Sequence, residues 1–109
     1  MHELAIAEAI LDAILERTHQ RQVTVVRLAV GKLSGVVPHA LEFCFDLATN
    51  GTPVEGASLE IVQQHGRARC HACGGDFDVF DLILLCPCGS ADVEVVAGRE
   101  LSVTSVEVV

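Results

Sequence analysis

Residues 70–89 read CHACGGDFDVFDLILLCPCG, and four of the chain's five cysteines fall within this stretch. They form two close pairs, Cys70-x-x-Cys73 and Cys86-Pro87-Cys88, separated by twelve residues. Two thiolates on a tight turn aim at one point, and a second such pair completes a tetrahedron around a cation. Gly74-Gly75 and Gly89 follow the pairs directly, where turns of this kind need positive φ. Buried structural thiols or disulfides do not cluster in this way in a chain without marks of secretion. The spacing therefore assigns a metal site with Cys70, Cys73, Cys86 and Cys88 as ligands. All-thiolate tetrahedral ligation suits Zn(II) best and iron next. The second pair has one intervening residue where a zinc ribbon has two. The usual turn, with its amide-to-sulfur hydrogen bonds, is not expected to form there in the same way, and His71 or His65 is the alternative source of the fourth ligand.

Outward from this stretch, 109 residues make one ordinary domain that buries about two-thirds of its unfolded surface. The segment 66–91 is too short to build a core and must draw its stability from a metal. The expected organisation is a main domain of residues 1–65 and 92–109 carrying an inserted zinc-ribbon-like module, residues 66–91. Half of the residues are hydrophobic, with no Trp or Tyr, which describes a Val/Leu/Ala core. The net charge is −8, and four thiolates around one divalent ion make it more negative still. That balance argues against a nucleic-acid partner. Metal-type cysteine spacing without a disulfide framework places the protein in a reducing cytoplasm. The start MHELAIAEA lacks the basic region of a signal peptide, and no apolar run approaches the roughly eighteen residues of a membrane helix.

The rest of the chain alternates helix and strand. From Glu3 to about Gln20, Leu4, Ala7, Leu11 and Ile14 share one helical face and Glu8, Asp12 and Glu16 the other. Val23 to Val30 is a β-branched strand. A loop with its turn at Ser34-Gly35 leads to Pro38, which opens a second helix that Asn50-Gly51 ends near Thr49. Cys44 lies on the apolar stripe of that helix with Leu41, Phe45 and Ala48, which makes it a core residue and not a ligand. Ser58 to Gln64 is a strand. After the metal module, Val93 and Val95 alternate with polar residues, Gly98 marks a turn or bulge, and Leu101, Val103, Val106 and Val108 form the last strand. The pattern predicts an α+β fold, a small antiparallel or mixed sheet with two helices on one face.

A second chemical feature stands at the start. The bulky His2 is expected to protect Met1 from aminopeptidase trimming, so that the mature chain would begin with a free amine followed by His2. The amine, the His2 amide nitrogen and the His2 imidazole close two adjoining chelate rings, and Glu3 adds a fourth donor through its amide or its carboxylate. Nitrogen-rich planar donors suit Ni(II) or Cu(II).

MHEL at the start, GKLSGV after the first strand, the paired cysteines ending in CGS, and the closing GRELSVTSVE together resemble the hydrogenase nickel-incorporation family HypA/HybF. The resemblance covers essentially the whole chain in order. It implies a non-enzymatic metallochaperone, with Ni(II) as transient cargo on Met1, His2 and Glu3 and structural Zn(II) on Cys70, Cys73, Cys86 and Cys88. It also implies a hydrogenase-maturation GTPase and the [NiFe]-hydrogenase large subunit as partners, urease maturation proteins as further candidates, and a monomer or homodimer. Cys86-Pro87-Cys88 departs from the family's C-P-x-C by one residue. The competing reading is a zinc-ribbon adaptor that binds protein or nucleic acid and has no nickel role. The two readings separate on whether nickel binding needs the free terminus.

Overall fold

The first helix forms because its apolar positions fall three and four apart. In α1 (Glu3–Thr18), Ala7, Ile10, Leu11, Ile14 and Thr18 are buried on one face, while Glu8, Asp12 and Glu16 lie exposed. The computed structural model describes residues 2–81 and 83–109. Helix α1 stops at Thr18, short of the expected Gln20, because His19 and Gln20 both take left-handed backbone angles, with φ of 53° and 64°. The remaining elements are β1 (Val23–Gly31), α2 (Pro38–Thr49), β2 (Ser58–Gln64), β3 (Gly66–Cys70), β4 (Asp76–Val79), β5 (Val93–Ala97) and β6 (Leu101–Val108).

Strands β2, β1 and β6 make the first sheet in that order. β1 pairs antiparallel with β6 but parallel with β2, because α2 carries the chain back across the sheet before β2 begins. The sheet is mixed. Val26, Leu28 and Val30 of the central strand are fully buried, packed with Ile10, Leu11, Ile14, Leu41 and Phe45 of the helices. Cys44 joins this core from the side, half-buried, and stands apart from the other cysteines. On the opposite face Arg27 is ion-paired to Glu60 on β2 at 3.1 Å and to Glu107 on β6, tying the strands together in solvent.

The last strand shows how a sequence phase becomes a backbone feature. Its apolar positions 101, 103, 106 and 108 break a strict period of two between 103 and 106. The register shifts at that point, where Leu28 faces Val103 and Arg27 faces Ser105, leaving Thr104 as the extra residue. The bulge returns Val106 and Val108 to the core side, where they pack with Leu101 and Val103.

The second sheet has the order β4-β3-β5, so it draws on Val93–Ala97 as well as on the cysteine-bearing segment. Two strand pairs run from one sheet into the other, β2 into β3 and β5 into β6, and three glycines meet where they pass. A Cβ on Gly31 would lie 2.0 Å from the Gly98 carbonyl oxygen. One on Gly66 would lie 2.6 Å from the Val79 oxygen, and one on Gly98 2.6 Å from Gly66 Cα. The loop after β1 is bonded into the same crossing: Gly31 N–H donates to Glu100 O at 2.6 Å, Lys32 N–H to Gln64 O at 2.9 Å and Leu33 N–H to Gly98 O at 2.7 Å. Gly31→Ala is expected to cost about 3 kcal/mol or more, since backbone must move to admit the methyl group. Gly51→Ala, at φ +79° with open space around it, should cost only about 1–2 kcal/mol. Urea denaturation of the two variants checks the difference, and equal losses would mean that the crossing is not closely packed.

Candidate metal centre

The cysteines come together at the end of the second sheet. Cys70 is the last residue of β3 and is buried, with 1% of its surface exposed. The chain then turns through Gly74 at φ +75°, so that Gly74 N–H reaches Cys70 O and Cys70 N–H reaches Gly75 O, both at 2.9 Å. Cys73 sits on this turn, and its N–H faces Cys70 Sγ at 3.5 Å. The second pair is built alike in spite of its shorter spacing. Cys86 N–H donates to Ser90 O at 2.9 Å, Gly89 N–H donates to Cys86 O at 2.8 Å, and Gly89 takes φ +95°. The Cys88 amide itself faces Cys86 Sγ at 3.4 Å. The amide-to-sulfur contact thus survives the missing residue, because the tight turn swings the Cys88 N–H toward the first sulfur.

All four Sγ atoms lie within 4.8 Å of one another, and among the described residues no other group of three or more His, Cys, Asp or Glu side chains converges in this way. Cys70 Sγ is 3.7 Å from Cys88 Sγ, and Cys73 Sγ is 3.7 Å from Cys86 Sγ. Metal–sulfur bonds of about 2.3 Å around a tetrahedral zinc put sulfurs roughly 3.8 Å apart. The donor set and its spacing therefore fit a tetrahedral thiolate-bound ion. The electrostatics agree. Amide donation, first from Cys73 and then, against burial, from Ala72, draws the Cys70 thiol down to about 6, so a first thiolate forms readily. For Cys86, donation from the Cys88 amide is outweighed by burial and by the neighbouring thiols, which push it up to about 12. Without a cation Cys70 takes a negative charge readily and Cys86 resists one.

The two histidines considered as substitute ligands are engaged elsewhere. His71 holds Asp92 through Nδ1 at 3.0 Å and Glu94 through Nε2 at 3.4 Å. His65 stacks edge-on against Phe80 with ring centroids 5.4 Å apart. The carboxylates that hold His71 had no local signal in the sequence; only the pairing of Cys70 with Val93 across β3 and β5 brings them beside it.

The predicted nickel residues lie in a different layer. His2 precedes α1 and is exposed, and its carbonyl accepts from Ile6 N–H at 3.1 Å. Glu3 is half-buried, with Oε2 accepting from Val37 N–H at 3.3 Å. Met1, the expected amine donor, lies outside the described residues. His39, at the start of α2, is exposed and faces Glu42 at 3.9 Å.

The family described as "Hydrogenase/urease nickel incorporation, metallochaperone, hypA" matches residues 1–108. The chain belongs to the HypA family. Curated HypA relatives named hydrogenase maturation factor include that of Streptomyces avermitilis, 45% identical over 97% of this chain and 86% of its own length. That of Geobacter metallireducens is 42% identical over 99% of both, and that of Nostoc punctiforme 39% identical over 99% and 96%. The fold is shared with a solution structure titled as the Ni metallochaperone HypA from Helicobacter pylori, at a TM-score of 0.69 and 24% identity over 99% of this chain and 97% of that one. As a HypA protein the chain is a metallochaperone of nickel incorporation and not an enzyme. No helix among the described residues is long and apolar enough to cross a membrane.

His71 yields a direct pH test. Hydrogen bonding to Asp92 first and Glu94 second raises its pKa above the ordinary imidazole value. A raised folded-state pKa means that the pairing contributes most at low pH and is lost as pH rises through that value. NMR titration of the His71 ring should show a midpoint above that of a model imidazole, falling back toward it in Asp92→Asn. An unchanged midpoint in the variant would mean that the pair does not hold in solution.

Proposed function

We propose that the protein carries Ni(II) on its N-terminal amine, His2 and Glu3, for maturation of [NiFe]-hydrogenase, while a structural Zn(II) is held by Cys70, Cys73, Cys86 and Cys88. Membership of the nickel-incorporation family over residues 1–108 carries this reading. It is supported by the exposure of His2 at the start of α1 and by the convergence of the four thiols. The two sites then have opposite designs. Four protein donors close the zinc site, leaving it no open position for chemistry, so zinc supplies rigidity to the end of the second sheet. Planar donors at a chain end leave nickel open above and below, where a recipient's ligands can enter before the carrier's leave. Capture and release then proceed by ligand exchange, without a catalytic base or nucleophile.

The partners in this reading are a maturation GTPase and the hydrogenase large subunit, with urease maturation proteins as a further destination, in the cytoplasm. The division into a nickel-binding domain and a metal module belongs to the same proposal. A basic nucleic-acid partner surface is not part of it, given the net charge of −8.

His2→Ala is expected to abolish nickel binding at neutral pH with fold and zinc content intact, as is any uncleaved extension that turns the terminal amine into an amide. Protons compete with nickel for amine and imidazole donors, so nickel should be lost as the pH falls. Zinc, on thiolates, should stay bound. Metal analysis after dialysis at about pH 8 and about pH 6 and calorimetry on the variants test this; nickel retained unchanged by His2→Ala would place the cargo elsewhere.

For zinc, the expectation is one ion per chain, lost in Cys88→Ser together with order in the second sheet. Cys44→Ala should keep its zinc and lose only about 1 kcal/mol of packing. A zinc-free Cys44→Ala protein would overturn the separation of the fifth cysteine from the other four.

A further inference from the structure

Helix α2 begins without the means to satisfy its own first turn. Its N-cap is Val37, which has no side-chain oxygen, and no side-chain cap bond is made from that position. A capping box would also place Glu or Gln at the third helical position, reaching back to the N-cap N–H. That position here is Ala40, which has nothing to offer. The acceptor comes instead from the other helix: Glu3 Oε2 takes the Val37 N–H at 3.3 Å across 34 residues of sequence.

The Val37 N–H is a fixed donor. The seven residues that lead to it start at the glycine crossing, where Gly31, Lys32 and Leu33 are bonded to Glu100, Gln64 and Gly98. They continue through Ser34, whose Oγ accepts from Val36 N–H at 3.2 Å, and past Val36, which is buried in the core. Beyond Val37, its carbonyl accepts from Leu41 N–H at 3.0 Å as α2 begins. A flexible carboxylate on the first turn of α1 thus meets a rigid amide tied to the base of the second sheet.

We infer that the Glu3 carboxylate is a positioning group: it supplies the missing half of the α2 capping box and so fixes the first turn of α1, from which the nickel-carrying end projects. This rests on the nickel reading given above and refines it. A carboxylate committed to Val37 leaves the backbone nitrogen as the donor that Glu3 offers to nickel, and the cargo site is preorganised by α2 at no cost in open coordination faces. It also links that site, through one hydrogen bond and the seven residues 31–37, to the base of the cysteine module.

The test uses the full-length, untagged, zinc-loaded protein with Ni(II) alone as the probe. Amide exchange at Val37 should be unchanged on adding nickel, and about fivefold faster in Glu3→Ala, as expected for loss of one cap. Nickel affinity should fall on the order of tenfold in Glu3→Ala through lost preorganisation. Glu3→Gln, which keeps an acceptor, should rescue both, with the nickel absorption band at the same position in all three proteins. Val37→Pro removes the donor while leaving every nickel ligand in place, and it too should weaken binding. The opposite sign is diagnostic. If the carboxylate were a nickel ligand held back by the helix, removing its competitor would tighten binding, nickel would accelerate exchange at Val37, and Glu3→Gln would shift the absorption band. Any of these overturns the inference, as does wild-type affinity in Glu3→Ala. Should Val37→Pro fail to retain zinc and helical signal, the Glu3 pair and the exchange data decide alone. Failure of the nickel reading itself would be seen separately, as undiminished binding in His2→Ala.

Discussion

Gly31, Gly66 and Gly98 meet so closely that no side chain fits between their backbones: a Cβ on the first would be 2.0 Å from the carbonyl oxygen of the last. Much of the molecule depends on that crossing. Two chain passages must run from the first sheet to the second within the width of a strand pair, and only bare backbone leaves room for both. Because both passages are hydrogen-bonded to the loop after β1, the second sheet extends from the first on a bonded base and not on a free linker. The principal axis of 52 Å against 22 and 17 Å is the outcome.

At the far end of the second sheet a different constraint rules. Three short strands bury little: Ala68, Cys70, Val79 and Cys86 are its only buried hydrophobic residues among those described, while Phe80, Ile83 and Leu85 are largely exposed. Hydrophobic burial on that scale is too small to fold so short a segment. Turn geometry instead brings four thiols within 4.8 Å, a concentration of potential negative charge that is relieved only by a cation. A cation and the turns would support each other, so the proposed zinc would be part of the fold and not a ligand added to it.

The proposed cargo site obeys the reverse logic. A carrier has to release what it binds, so its donors belong on an exposed end with open coordination faces. An exposed end loses precision, and neighbouring structure is what restores it. The Glu3 to Val37 contact does this with a single hydrogen bond, because α2 begins with residues that leave its first amide unclaimed.

Local chemistry alone determined a good part of this protein. The 3.6-residue spacing in α1, Pro38 at the start of α2, the β-branched runs and the cysteine spacing each act within a few residues, and each appears in the structure within a turn of where the sequence puts it. The four cysteines converge as their spacing implies, and Cys44 stays in the core. Other features depend on residues far apart in the chain. The parallel pairing of β1 with β2 follows from where α2 returns the chain, and β5 pairs with β3, which precedes it by more than twenty residues. The Asp92 and Glu94 grip on His71 depends on that pairing, and the Glu3 bond to Val37 on how α1 packs beside α2. Gly31, Gly66 and Gly98 read in sequence as three ordinary turn or strand-end glycines. Only the tertiary structure decided that they touch, because close approach is a property of backbones brought together by the whole fold and leaves no mark on the residues next to each glycine.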